Sequence, residues 1–256
     1  MIVLRSKRLA PYVDKLAWYG DGAGEPFTVY PDLYPVMGFQ AVGRTSLVNG
    51  GQPEPLTSAG VTGIHRLPKT FRNTAAFSSV LVYFKPEALY GWKLFSPKEI
   101  AESSVALADC GISRAVLERL PELQANDPRE FLAYMEESIW QLVKDIPIDP
   151  WAEWAVNRIR QTNGSVRVGE LAEESTLGRR QFERRFAERI GIPPKTLGQI
   201  AKFRHVLRAL PSSDSLTRIA HDADYFDQSH LIKEIRKRTG LTPGQLHAAE
   251  KFRISP

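Results

Sequence analysis

Two stretches of the chain carry one pattern twice. The first runs Val168-Gly169-Glu170-Leu171-Ala172, then Arg180-Gln181-Phe182-Glu183-Arg184-Arg185-Phe186, and closes at Gly191-Ile192-Pro193. The second runs Leu216-Thr217-Arg218-Ile219-Ala220, then Gln228-Ser229-His230-Leu231-Ile232-Lys233-Glu234-Ile235-Arg236, and closes at Gly240-Leu241-Thr242-Pro243. Leu171-Ala172 and Ile219-Ala220 stand 48 residues apart, and Phe182 and Leu231, like Gly191 and Gly240, stand 49 apart. Apolar residues, glycine and proline in common register mark an internal repeat.

Each copy reads as a short helix, a tight turn and a longer helix. Leu171 and Ala172 form the buried face of the first short helix. Phe182, Phe186 and Ile190 recur every four residues on one face of the long helix. Ile219 and Ala220, then Leu231 and Ile235, repeat the arrangement. Asp227 is placed as an N-cap, its carboxylate accepting from the free amides of the first turn. Gly191 and Gly240 mark helix ends, with Pro193 and Pro243 close behind. This is helix-turn-helix grammar, in which the second helix enters the major groove.

The face opposite the apolar stripe carries Arg180, Glu183 and Arg184 in the first copy. In the second it carries Gln228, Ser229, Ile232, Lys233 and Arg236. Arginine grips guanine O6 and N7 with two parallel hydrogen bonds, glutamine does the same for adenine, and glutamate accepts from cytosine. A charged face on one isolated helix is ordinarily just solvated. Two matched faces in a repeat favour DNA.

Residues from about 151 to 250 resemble the DNA-binding domain of the AraC/XylS transcription regulators. The resemblance rests on Leu171-Ala172, Phe182-Glu183-Arg184-Arg185-Phe186, Ile219-Ala220, Tyr225-Phe226-Asp227-Gln228-Ser229-His230 and Thr239-Gly240-Leu241-Thr242-Pro243. It implies two helix-turn-helix units joined by a long helix at about Pro194 to Leu210. It places Arg180, Glu183, Arg184, Gln228, Ser229, Ile232 and Lys233 on base- or phosphate-contacting positions. Arg180, Arg184, Gln228 and Lys233 are the expected sequence readers. Arg179, Lys202, Arg204, Arg208 and Arg236 are the expected phosphate contacts. Two positions depart from the family pattern. Gly178 stands where a serine usually caps the first recognition helix, and Asp224 stands where the second turn usually has glycine.

Charge divides the chain as the repeat does. Residues 1–150 carry 15 Lys+Arg and 17 Asp+Glu, whereas residues 151–256 carry 19 and 12. The whole positive excess therefore belongs to the segment with the repeat, as a polyanion-binding domain requires. With 43% hydrophobic and 25% charged residues in 256, the composition is globular and long enough for two domains. No apolar run reaches the ~20 residues of a membrane span, and the N-terminus lacks a signal-peptide core. Cys110 is the single cysteine, so no intrachain disulfide forms. A cytoplasmic protein is expected.

Residues 1 to about 90 read as mainly β. Val36–Val42 and Ser79–Phe84 are apolar runs of strand length, and Val61–Leu67 is a weaker one. Asp21-Gly22-Ala23-Gly24, Asn49-Gly50-Gly51, Pro53 and Pro55 read as turns. Val80-Leu81-Val82-Tyr83-Phe84-Lys85-Pro86-Glu87-Ala88-Leu89 is similar to the N-terminal domain found ahead of some AraC-type modules. That likeness implies a sensor or dimerisation unit and names no ligand. Beyond residue 97 the chain turns helical, with Ile112, Val116, Leu117 and Leu120 at helical spacing. Phe131, Met135, Ile139, Leu142 and Ile146 form a second set, read as a helix packed on its own domain rather than a dimer seam. Pro147-Ile148-Asp149-Pro150 reads as a linker.

No catalytic constellation is present. His65, His205, His221, His230 and His247 match no zinc-protease spacing, and there is no Gly-x-Ser-x-Gly elbow. His221, Asp222, Asp224, Asp227 and His230 straddle a turn and are not expected to converge on a metal. His65 and Cys110 have no assigned role. Neither a cofactor nor a metal is expected.

The expected class is α+β: a β-rich N-terminal domain with a helical extension (1–146), a linker (147–150), and an all-α domain of two helix-turn-helix units joined by a long helix (151–250). The expected partner is double-stranded DNA, with room for a small-molecule effector, a homodimer and RNA polymerase. The alternative is an enzyme or small-molecule-binding domain with an appended DNA-binding module.

Overall fold

A computed structural model describes residues 1–20, 24–92, 95–110, 127–210 and 215–248. The helical expectation at 112–120 and the turn at 21–23 lie outside them.

Among the described residues, the N-terminal part has ten strands. They are β1 (Ile2–Leu4), β2 (Val13–Gly20), β3 (Pro26–Val29), β4 (Val36–Val42), β5 (Thr45–Asn49), β6 (Gln52–Pro55), β7 (Ala59–Thr62), β8 (Lys69–Asn73), β9 (Ser78–Phe84) and β10 (Ser104–Ala106). They form a six-stranded sheet, ordered β1-β2-β9-β4-β7-β10, and a four-stranded sheet, ordered β3-β8-β5-β6. All pairings are antiparallel.

Alternation along the large sheet divides its two faces. Met37 and Phe39 on β4, Val61 on β7, and Val80 and Val82 on β9 pack with Phe131, Met135 and Ile139 of a helix, α3 (Pro128–Val143). The intervening Val36, Gly38 and Gln40, with Ser79, Leu81 and Tyr83, face an internal cavity toward the small sheet. The heptad-like set from Phe131 to Ile146 is thus buried on its own domain, as expected, with Leu142 and Ile146 packed beside the same core.

Two expectations in this half are corrected. Val61–Leu67 is not one strand, because β7 ends at Thr62 and Gly63 passes close under the Ile100 carbonyl. Pro53 and Pro55 are not turn residues but lie in β6. That strand is the outer edge of its sheet, where a missing N–H is tolerated. The hairpin turn before it is confined to Gly50 and Gly51, both at positive φ.

The remaining helices follow in order. α1 (Pro86–Leu89) and α2 (Pro97–Ile100) are short and precede α3. The C-terminal part has α4 (Pro150–Gln161), α5 (Val168–Glu174), α6 (Arg179–Ile190), α7 (Pro194–Ala209), α8 (Leu216–Asp222), α9 (Gln228–Thr239) and α10 (Pro243–Ala248). The predicted linker is anchored rather than loose. The Tyr12 hydroxyl donates to the Ile146 carbonyl at 3.0 Å, and the Asp149 carboxylate caps α4 by accepting from Trp151 N and Ala152 N.

Two separate cores serve the two repeats. One gathers Ala155, Val156 and Ile159 of α4 with Leu171, Phe182, Phe186, Leu197 and Ile200. The other gathers Phe203, Val206 and Leu207 of α7 with Ile219, Ala220, Leu231, Ile235 and Leu246. Burying a phenylalanine such as Phe182 or Phe186 stabilises by about 1.5–3 kcal/mol. Both cores accept N-terminal residues: Ile64 and Leu33 pack on the first, and Tyr30 on the second.

Candidate nucleic-acid interface and interior cavity

The two copies of the repeat share their backbone geometry. The turn between short and long helix places Thr176 at φ 57° in the first and Asp224 at φ 52° in the second. Both long helices end on a left-handed glycine, Gly191 at φ 91° and Gly240 at φ 75°. The sequence departures resolve locally. Asp224 adopts the left-handed conformation that glycine would take freely, and the Lys202 ammonium donates to its carbonyl at 3.0 Å and its carboxylate at 3.1 Å. Gly178 stands at the N-cap of α6 without a side chain to give. Asp227 caps α9 as expected, accepting from His230 N at 2.7 Å.

Beside that second turn Tyr225 is turned inward, its phenol pushed up to about 12 by burial. The Tyr225 ring meets the His230 ring edge-on at 5.2 Å. The neighbouring Phe226 is turned outward and is 93% exposed.

The faces predicted to read DNA are open. Arg179, Arg180 and Arg184 on α6 are exposed, with Glu183 half-buried, and Arg179 bridges Glu183 at 3.1 Å. On α9, Gln228, Ser229, Lys233 and Arg236 are exposed and Ile232 is half-buried between them. Gln228 accepts a hydrogen bond from the Thr217 hydroxyl at 3.0 Å, which fixes its carboxamide relative to the helix before it. The starts of both long helices border one groove, lined by Arg167, Arg179, Lys195, Lys202, His230 and Arg238 among others.

The connecting helix corrects two expectations. Arg204 is buried, 7% exposed, and its guanidinium holds Asp32 of the N-terminal part at 3.2 Å. It is therefore committed to the interior rather than to the exposed surface. The ammonium of Lys202 is committed to the second turn and is only partly open. Arg208 is exposed. Arg167, just before α5, and Lys195, in the first turn of α7, are exposed on the groove and were not anticipated. Their signal was present: both are basic residues at helix starts flanking the repeat.

Among the described residues, three ion pairs tie residues up to 149 to helices of the C-terminal part. Besides Asp32–Arg204, Glu87 of α1 pairs with Arg160 of α4 at 3.0 Å, and Asp149 pairs with Arg189 of α6. Glu87 is 1% exposed; burial pushes its carboxyl up and Arg160 opposes the shift.

The cavity facing the large sheet measures about 300 Å³. Glycines hollow it. An added Cβ at Gly60 would stand 3.0 Å from the Val105 carbonyl, and one at Gly38 would stand 3.3 Å from Leu81. Asp32, Tyr34 and His65 line one region of it and Phe27 and Phe71 stack at 6.0 Å in its wall. Burial pushes the Tyr34 phenol up to about 12 and lowers His65, whose Nδ1 donates to the Leu67 carbonyl at 2.7 Å. No described helix is long and apolar enough to cross a membrane.

Residues 171–249 match the family model described as a helix-turn-helix domain. No curated protein matches the chain. Among solved structures it is similar to ToxT from Vibrio cholerae, at 11% identity over 91% of this chain and 97% of that one, with a TM-score of 0.51. It is also similar to ToxT from Vibrio cholerae O395 bound to (E)-4-(8-methylnaphthalen-1-yl)but-3-enoic acid, at 12% identity over 91% and 97%, with a TM-score of 0.50. At these identities the likeness is one of fold, over nearly the full length.

Proposed function

We propose that this chain, by its C-terminal domain a DNA-binding transcription regulator of the AraC/XylS type, reads two successive major grooves on one face of a duplex. The observation that carries the reading is the matched pair of exposed helix faces, each behind a left-handed turn. Arg180 and Arg184 of α6, with Gln228 and Lys233 of α9, are assigned to base edges. Glu183, Ser229 and Ile232 complete the two reading faces. Arg167, Arg179, Lys195, Arg208 and Arg236 are assigned to phosphates.

Residues 1–146 are assigned to regulation and residues 151–250 to reading, joined at 147–150. The cavity between the sheets is assigned to a small-molecule effector. One structure of similar fold is described as holding an aryl-butenoic acid, and the present cavity, about 300 Å³, is of small-ligand size. Self-association and contact with RNA polymerase belong to the same proposal.

The test is selection of bound sites from a random duplex library by the full chain near physiological salt. The expected product is a motif with two short blocks about 10 base pairs apart. One block would mean that a single unit reads sequence. Binding without enrichment that fades steeply with salt would mean phosphate attraction alone and would overturn the proposal.

A further inference from the structure

The side chains that line the cavity carry a single formal charge, with Lys15 and Arg204 close to it from outside the lining. Among the described residues that line it, no lysine or arginine appears, and Asp32 is the one carboxylate. His65, lowered by burial, adds no positive charge at neutral pH. Asp32 accepts from Leu33 N at 2.7 Å through Oδ1 and from Arg204 through Oδ2 at 3.2 Å. A carboxylate has about four lone-pair sites, so it can accept from several donors at once. Tyr19, Tyr34 and Tyr83 add aromatic side chains to the lining. The protein's own cations already use the same rings: Lys15 lies 4.4 Å from the Tyr83 ring centre and Arg160 lies 5.1 Å from that of Tyr34. Aromatic side chains beside one carboxylate offer an organic cation partners that an anion lacks.

Arg204 gives this site a mechanical consequence. It lies on α7, which contributes to the cores of both helix-turn-helix units. A cation arriving at Asp32 competes with the guanidinium for the same carboxylate. We propose that the cavity takes an amine carried on an apolar ring-sized body, and that its ammonium, bound at Asp32, loosens Asp32 from Arg204 and so alters DNA affinity. This rests on the assignment of the cavity as the effector site.

The test titrates the full chain by calorimetry with three probes of one scaffold: tryptamine (cation), tryptophol (neutral) and indole-3-propionate (anion). DNA affinity is measured alongside on the selected duplex. Tryptamine should bind roughly tenfold or more tighter than tryptophol, with the anion weakest. Asp32→Asn should bring tryptamine down to the level of tryptophol and leave tryptophol unchanged. Gly38→Leu, which fills the cavity and leaves the ion pair in place, should abolish binding of all three. Asp32→Asn alone should shift DNA affinity in the same direction as tryptamine does on the native chain, and tryptamine should then add nothing.

Tightest binding by the alcohol or the acid, or no binding by any probe, overturns the amine. If either of the former binds in the cavity and shifts DNA affinity, the effector assignment survives. Amine binding at Asp32 with unchanged DNA affinity overturns the coupling and the effector assignment with it, while the ligand class stands.

Discussion

Gly191 and Gly240 end the two recognition helices in the same conformation but in different surroundings, and that contrast yields a calibrated test of how the two halves dock. Alanine at either position must enter the left-handed region, at about 1–2 kcal/mol. At Gly240 an added Cβ meets nothing within 4 Å, so that cost is the whole effect. At Gly191 the added Cβ would overlap the Pro97 carbonyl and stand 3.2 Å from Lys98 N. These are backbone atoms of α2, so either the helix end or α2 must move, at a further ~1–3 kcal/mol typical of overpacking. Gly240→Ala should therefore cost about 1–2 kcal/mol and Gly191→Ala about 2–5 kcal/mol. The assay is urea unfolding of the full chain, followed in parallel by far-UV circular dichroism and tryptophan fluorescence. Should the two variants lose equal stability with unchanged slopes, α2 is not seated on the cap of α6, and the docking of the two halves described above is wrong.

Three further outcomes are expected. Arg180→Ala should lose about 1–3 kcal/mol of discrimination at one base pair of the selected motif; unchanged affinity and preference in a binding assay would remove Arg180 from the readers. Removing one partner of the buried Glu87–Arg160 pair, as in Glu87→Ala, should cost about 3–5 kcal/mol, whereas the paired change Glu87→Leu with Arg160→Met should come out near neutral; equal losses in a denaturation series would contradict the pairing. Burial holds the His65 pKa below its ordinary value of 6.5 in the folded state, so the unfolded chain binds the proton more readily. Stability from this residue is full above pH 6.5 and drains as pH falls toward the lowered pKa. His65→Gln should flatten the melting temperature between pH 7 and pH 5.5, though not completely, since His205 is lowered in the same direction. An unaltered slope would remove His65 as a source.

The C-terminal half was legible because each local signal agreed with its copy. Asp227 capped, Gly191 and Gly240 stopped helices, and Phe182, Phe186, Leu231 and Ile235 went inside. Asp224, standing where the family pattern has glycine, is left-handed, and Thr176 is its counterpart in the first copy. Arg204 was misplaced by reading its charge before its phase. It lies four residues after Ile200 and three before Leu207, on the apolar stripe, and about 200° around the helix from Lys202. Its partner Asp32 is remote in sequence, so no local pattern could name it. Strand β2 went unread because Lys15 interrupts its apolar run, although the chain buries that lysine against Tyr83. The cavity was invisible for a related reason: it is made by glycines and by what stands opposite them, and spacing along one strand records neither.

The connecting helix α7 sets more than the distance between the units. Leu197 and Ile200 anchor it in one core, and Phe203, Val206 and Leu207 in the other. One residue inserted between these anchors would rotate the second reading head by about 100° and advance it by about 1.5 Å. A duplex presents its next major groove at a fixed azimuth, so that rotation turns α9 away from the bases. On the proposed reading of two successive grooves, the length of this helix is a phase setting matched to the helical repeat of DNA. On that reading, a single residue added or removed between Ile200 and Phe203 puts the two heads out of step, whatever base contacts each of them makes.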